Sequence, residues 1–116
     1  MSDIVIYHNP NCSNSRGALA LLREKGLDPK VVEYMKTGWT RDQLQELLKR
    51  MDASAHDILR VRGTKAEELG LTDRSTSDEA LIAAMILDPA LVNRPIVATP
   101  KGAALCRPPE LVLTLI

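Results

Sequence analysis

Phenylalanine is absent from this chain, and aromatic residues together make up only 3% of it. The core must therefore be filled by Leu, Ile, Val, Ala and Met, with one Trp and two Tyr as the only large rings. Net charge is missing too. Fifteen Lys+Arg balance fifteen Asp+Glu, so no global field favours nucleic acid or an anionic membrane. There is no long apolar run and no basic-then-apolar leader, since Ser2-Asp3 opens the chain. Neither a membrane span nor a targeting segment is expected, and the expected location is the cytoplasm. Cysteine is scarce, at Cys12 and Cys106. In a reducing compartment such a pair reads as free thiols, one of them catalytic, rather than as a structural disulfide. With only His8 and His56 beside them, scattered, no metal-ligand spacing appears. What remains is 116 residues, 45% hydrophobic and 26% charged, the profile of one compact, monomeric globular domain.

Residues 3–7 read as a buried strand, and helical periodicity follows from about Ser15 to Lys25, with Gly26 placed for a left-handed stop. Val31-Val32-Glu33-Tyr34 reads as a second strand, which favours a parallel pair with a right-handed crossover. The middle is helical. Three capping-box patterns open at Thr40, Thr64 and Thr76, and Ser54 to Leu59 suits a further short helix. From Arg94 the period changes. Pro95-Ile96-Val97-Ala98 and Ala103-Ala104-Leu105-Cys106 read as a hairpin around Pro100-Lys101-Gly102, and Leu111 to Ile116 as a closing helix. The order is that of an α/β, thioredoxin-like fold: a mixed four-stranded sheet, with core residues about 1–35 and 92–116, and a helical insertion at about 40–90.

The chemistry points to Tyr7-His8-Asn9-Pro10-Asn11-Cys12-Ser13-Asn14-Ser15-Arg16. A cysteine between a strand and a helix start meets free backbone N–H groups and the positive end of the helix dipole, which favour thiolate over thiol. An unperturbed thiol is only about 3% ionised at pH 7, and lowering its pKa by about two units takes about 2.7 kcal/mol of differential stabilisation. Helix amides, a hydrogen bond from Ser15 and a protonated His8 are the expected sources. The spacing is C-x-x-S, so Ser15 cannot resolve a mixed disulfide and another molecule must supply the second thiol. Cys106, ending an apolar strand, reads as a core residue.

Of the nine arginines, Arg94 and Arg107 stand apart: each precedes a proline, and they flank the expected hairpin. Paired strands would bring them together, and Arg60 in the insertion is placed to close the same pocket. Guanidinium forks beside a thiolate describe a site for a tetrahedral oxyanion. In folds of this order a cis-proline opens the strand beside the active cysteine, and Pro95 occupies that place.

At Ile6-Tyr7-His8-Asn9-Pro10, Cys12, Ser15-Arg16, Glu67-Glu68-Leu69-Gly70-Leu71, Asn93-Arg94-Pro95-Ile96-Val97 and Cys106-Arg107-Pro108 the chain resembles the arsenate reductases that couple to glutathione and glutaredoxin. Its Arg107-Pro108-Pro109 ending is similar to that of the shorter members. The resemblance implies that Cys12 is the nucleophile, that His8 and Ser15 lower its pKa, and that Arg60, Arg94 and Arg107 bind arsenate or a similar oxyanion. It implies no bound cofactor, with glutathione as co-substrate and glutaredoxin as partner. Two other functions fit the fold: an Spx-like regulator binding RNA polymerase, and a glutathione-dependent thiol reductase with another substrate. Against the regulator, C-x-x-S lacks the second thiol of a dithiol switch.

Overall fold

The computed structural model describes residues 3–116. Packing divides the chain into two units, one formed by the residues up to Thr37 together with Arg94–Ile116, the other by Gly38–Asn93.

The first unit holds the sheet. Strands β1 (Val5–Tyr7), β2 (Lys30–Val32), β3 (Ile96–Thr99) and β4 (Gly102–Leu105) lie in the order β2-β1-β3-β4. β1 pairs parallel with β2 and antiparallel with β3, and β3 pairs antiparallel with β4, with Ile96 opposite Leu105 and Thr99 opposite Gly102. The central strand β3 is buried throughout, as a continuous apolar run requires. Helix α1 (Ser13–Glu24) joins β1 to β2 and buries Ala18, Leu19 and Leu22. These meet Ile4, Ile6, Val97, Cys106, Val112 and Leu115 in one apolar cluster, where each fully buried aliphatic side chain contributes about 1.5–3 kcal/mol.

α1 ends as Gly26 predicts. Gly26 takes φ +76°, its N–H donates to Arg23 O, and the Leu27 N–H donates to Leu22 O, which together make a Schellman stop. Gly17 serves packing instead. A Cβ there would sit 3.1 Å from Cγ of Pro109, so glycine lets α1 approach the 3₁₀ segment Pro109–Leu115 closely.

Four sequence expectations need correction. The second strand stops at Val32, and Tyr34 begins a short helix, α2 (Tyr34–Thr37), fully buried. β2 is an edge strand paired only with β1, and after Tyr7 β1 turns away, leaving nothing to pair with. The closing segment is 3₁₀ rather than α. Its buried Val112 and Leu115 are three apart, which a three-residue turn aligns on one face.

The other two corrections lie in the second unit. Residues 64–70 form turns, not a helix. The Thr64 hydroxyl is drawn back onto the Arg60 and Val61 carbonyls and accepts from the Ala66 N–H, so it does not cap at Glu67. The third capping residue is Ser77 rather than Thr76. Ser77 accepts from the Ala80 N–H, while the Thr76 hydroxyl donates to Gly70 O. The Thr40 box forms as expected, with Thr40 and Gln43 satisfying each other's backbone N–H groups. It opens α3 (Arg41–Met51), which buries Leu44, Leu47 and Leu48. α4 (Asp78–Leu87) buries Leu81, Ile82 and Met85. The two helices are tied at their starts by the Arg41–Glu79 ion pair. Ser54 to Leu59 is a 3₁₀ turn, Ala55–Ile58, followed by a bridge between Leu59 and Val92. Among the described residues, no helix is long and apolar enough to cross a membrane.

Candidate active site

β1 delivers the chain to His8, whose N–H still follows the sheet and donates to Val32 O at 2.8 Å. Asn9 then turns it. The Asn9 side-chain oxygen accepts from the Asn11 N–H at 3.0 Å and its carbonyl accepts from the Cys12 N–H at 3.0 Å, an Asx turn in which Pro10 needs no donor partner. Cys12 is left extended (φ −104°, ψ 123°) as the N-cap of α1. A thiol supplies no capping oxygen and Cys12 makes no side-chain capping hydrogen bond, but the N–H groups of Ser15 and Asn14 in the first turn lower the sulfur's pKa.

The β3–β4 hairpin brings two arginines to this turn. The Cys106 N–H donates to Pro95 O at 2.8 Å, closing the open end of the hairpin and holding Arg94 beside Arg107. The Arg94 side chain bonds to the Cys12 sulfur. Arg107 donates from Nη1 to Arg94 O at 2.9 Å and reaches Cys12 Sγ at 3.7 Å. The peptide bonds Arg94–Pro95 and Arg107–Pro108 are both cis; the sequence reading names only the first.

Ser15 and His8 are placed differently from the sequence expectation. Ser15 is fully buried, and its hydroxyl faces away from sulfur: Oγ accepts from the Asn9 N–H at 3.0 Å and lies 2.9 Å from His8 Nδ1. Burial lowers the His8 pKa, the Glu33 carboxylate works in the opposite direction, and Arg23 and Arg16 add to the lowering. The net displacement of the His8 pKa is downward, which disfavours its cationic form. The Ser15 backbone N–H favours the Cys12 thiolate.

Cys12 exposes 9% of its surface. Burial pushes its pKa up, but the Ser15 N–H, the Arg94 side chain, the Asn14 N–H and the Arg94 charge outweigh it, and the net displacement is downward. Arg60 belongs to the second unit, where its N–H donates to Leu91 O at 2.8 Å and its Nη1 to the Asn93 side-chain oxygen at 3.1 Å. Cys106 is fully buried and points its thiol at Ala104 O, 3.6 Å away. An open cleft of about 610 Å³ lies along the outer face of α1, lined by His8, Arg16, Leu19, Ala20, Arg23 and Glu24. Sequence reasoning missed this cleft, whose only signal was the spacing of Arg16, Ala20 and Arg23 on one helix face. Among the described residues, no three His, Cys, Asp or Glu side chains group as a metal site.

A mixed sheet in the order β2-β1-β3-β4, with a cysteine at the β1–α1 turn facing a proline-led strand, defines a thioredoxin-like α/β protein. The ArsC family profile matches residues 7–115, and the chain belongs to that family. The arsenate reductase ArsI2 of Synechocystis is 48% identical over 113 residues, covering 97% of this chain and 81% of the relative. The arsenate reductase of Escherichia coli K12 is 45% identical over 116 residues, covering 100% of this chain and 82% of the relative. The solved arsenate reductase from Vibrio cholerae superposes with a TM-score of 0.92 at 40% identity, over 97% of each chain.

Proposed function

We propose that this chain reduces arsenate to arsenite through a covalent adduct on Cys12, with glutathione and glutaredoxin as the thiol supply. The observation that carries the reading is a sulfur with lowered pKa at the start of α1, bonded to Arg94 and 3.7 Å from Arg107 Nη1. Such a sulfur is nucleophilic at neutral pH, and the guanidinium forks beside it suit an oxyanion.

In the proposed cycle the Cys12 thiolate attacks arsenic(V), a sulfur–arsenic bond forms, and one arsenate oxygen leaves as water after taking up protons. A glutathione thiolate then attacks the Cys12 sulfur. The new sulfur–sulfur bond forms as the sulfur–arsenic bond breaks, and its electron pair reduces arsenic(V) to arsenic(III), which departs as arsenite. A glutaredoxin thiolate displaces the Cys12 thiolate from the mixed disulfide, because C-x-x-S offers no internal thiol. Arg94 and Arg107 hold the oxyanion and stabilise its charge, and Arg60 is the third cation in this proposal. His8 and Ser15 fix the turn that presents the amides, and Pro95 is a structural residue opening β3. The proposed setting is the cytoplasm, where reducing thiols keep cysteines unpaired.

The test is arsenite formation by purified protein supplied with arsenate, glutathione and glutaredoxin. Turnover that requires all three supports the proposal. Absence of arsenite with active glutaredoxin present overturns it.

A further inference from the structure

The amide of Asn14 has one orientation that its neighbours accept. With the oxygen turned toward Arg107 it receives hydrogen bonds from Nη2 at 3.1 Å and Nη1 at 3.2 Å; the reverse orientation would set donor against donor. Arg107 is therefore gripped from two sides, by the Arg94 carbonyl at 2.9 Å and by Asn14. Among the described residues its guanidinium pairs with no carboxylate. Asn14 also lies in the first turn of α1, where its backbone N–H helps lower the pKa of Cys12. One residue thus favours the thiolate through its main chain and holds the cation beside that sulfur through its side chain.

We infer that Asn14 is the positioning residue for Arg107: its side-chain oxygen holds the guanidinium against Cys12 without cancelling its charge. An arginine side chain on its own samples many rotamers, and ordering it costs rotamer entropy. Fixing it beforehand spares that cost when an anion arrives. A carboxylate in the same place would hold Arg107 equally well, but as a bidentate ion pair that neutralises the site. The amide gives orientation with the positive charge left over for sulfur and substrate. The inference deepens the proposed oxyanion site and rests on that reading only for the identity of the anion.

The test measures the pH dependence of Cys12 alkylation by iodoacetamide, which involves no arsenate, in Asn14→Leu, Asn14→Asp, Arg107→Ala and the Asn14→Leu/Arg107→Ala pair. Asn14→Leu lets Arg107 swing away, so the alkylation midpoint moves up and the rate at pH 7 falls by about 2- to 5-fold. Asn14→Asp places a charge that favours a helix N-terminus, so it folds, and it moves the midpoint up further than Asn14→Leu does. In the Arg107→Ala background, Asn14→Leu changes nothing more. With arsenate, Asn14→Leu raises KM by about 5- to 10-fold and leaves kcat within about 2-fold. An unchanged midpoint in Asn14→Leu overturns the inference. So does an equal shift with and without Arg107, or an Asn14→Asp midpoint at or below the wild-type value. Should alkylation show the coupling while no arsenite forms, the positioning role stands and the arsenate reading falls.

Discussion

The two cysteines carry one functional group into opposite surroundings. Cys12 sits where a helix begins, and the first-turn amides and Arg94 overcome burial and lower its pKa. Cys106 sits just beyond the end of β4, fully buried in the apolar cluster, with a carbonyl oxygen for company, and burial pushes its thiol up to about 11. Both are nearly enclosed, Cys106 more completely, so depth accounts for part of the difference. The rest lies in whether the enclosing atoms are donors or hydrocarbon. A thiol becomes a reagent where unsatisfied N–H groups surround it, and filler where methyl groups do.

The contrast breaks most sharply by substitution. Cys12→Ser is expected to cut arsenite formation by at least about 10³-fold, whereas Cys106→Ala keeps activity within about 3-fold and costs stability instead, about 1 kcal/mol in a urea titration. Comparable losses from both would place the chemistry elsewhere. Next in size is labelling. Native protein at pH 7 should take up iodoacetamide at Cys12 at least about 100-fold faster than at Cys106, read by peptide mass spectrometry. Arg94→Ala should narrow that ratio by raising the Cys12 midpoint toward the ordinary thiol value, and a midpoint that stays put would show the amides alone suffice.

The pH dependence of stability sharpens the comparison further. The folded pKa of Cys106 is raised, so the unfolded chain ionises first. Stability should fall as pH climbs from the ordinary thiol value of about 8.5 toward about 11. Cys12 has the opposite sign: its stabilising contribution is fully present above the unfolded thiol pKa and fades as pH drops through its lowered folded value. His8, also lowered, loses stability as pH falls below about 6.5, because only the unfolded chain then binds the proton readily. Urea titrations of wild type and Cys106→Ala across this range separate the three. Smallest is a change far from both cysteines: Asp52 holds φ +51° at the end of α3, so Asp52→Gly should stabilise by about 0.5 kcal/mol in the same titration.

Much of the sheet and of the site was legible in the sequence because period and punctuation agreed there. The apolar runs at Ile4-Val5-Ile6 and Ile96-Val97-Ala98, the prolines after Arg94 and Arg107, and Gly26 each constrain the backbone locally. The insertion was less legible at Thr64 and Thr76, because a hydroxyl can bind carbonyls on either side of it and the sequence does not say which wins. The contacts of His8 and Ser15 were not legible for a related reason. Spacing placed them near Cys12, but only three dimensions show that the serine hydroxyl is already committed to Asn9 and His8. Asn14 passed as one more polar residue, since its partner lies 93 positions away.

The hairpin that holds Arg94 and Arg107 has its tip at Pro100-Lys101, at the opposite end of the four-residue strands. Roughly 13 Å of paired backbone separates the tip from the cationic end. A reporter group or affinity handle spliced into that bend would ride on the same rigid clip while adding no charge near the sulfur. The molecule thus comes with a built-in attachment point for watching the thiol without disturbing it.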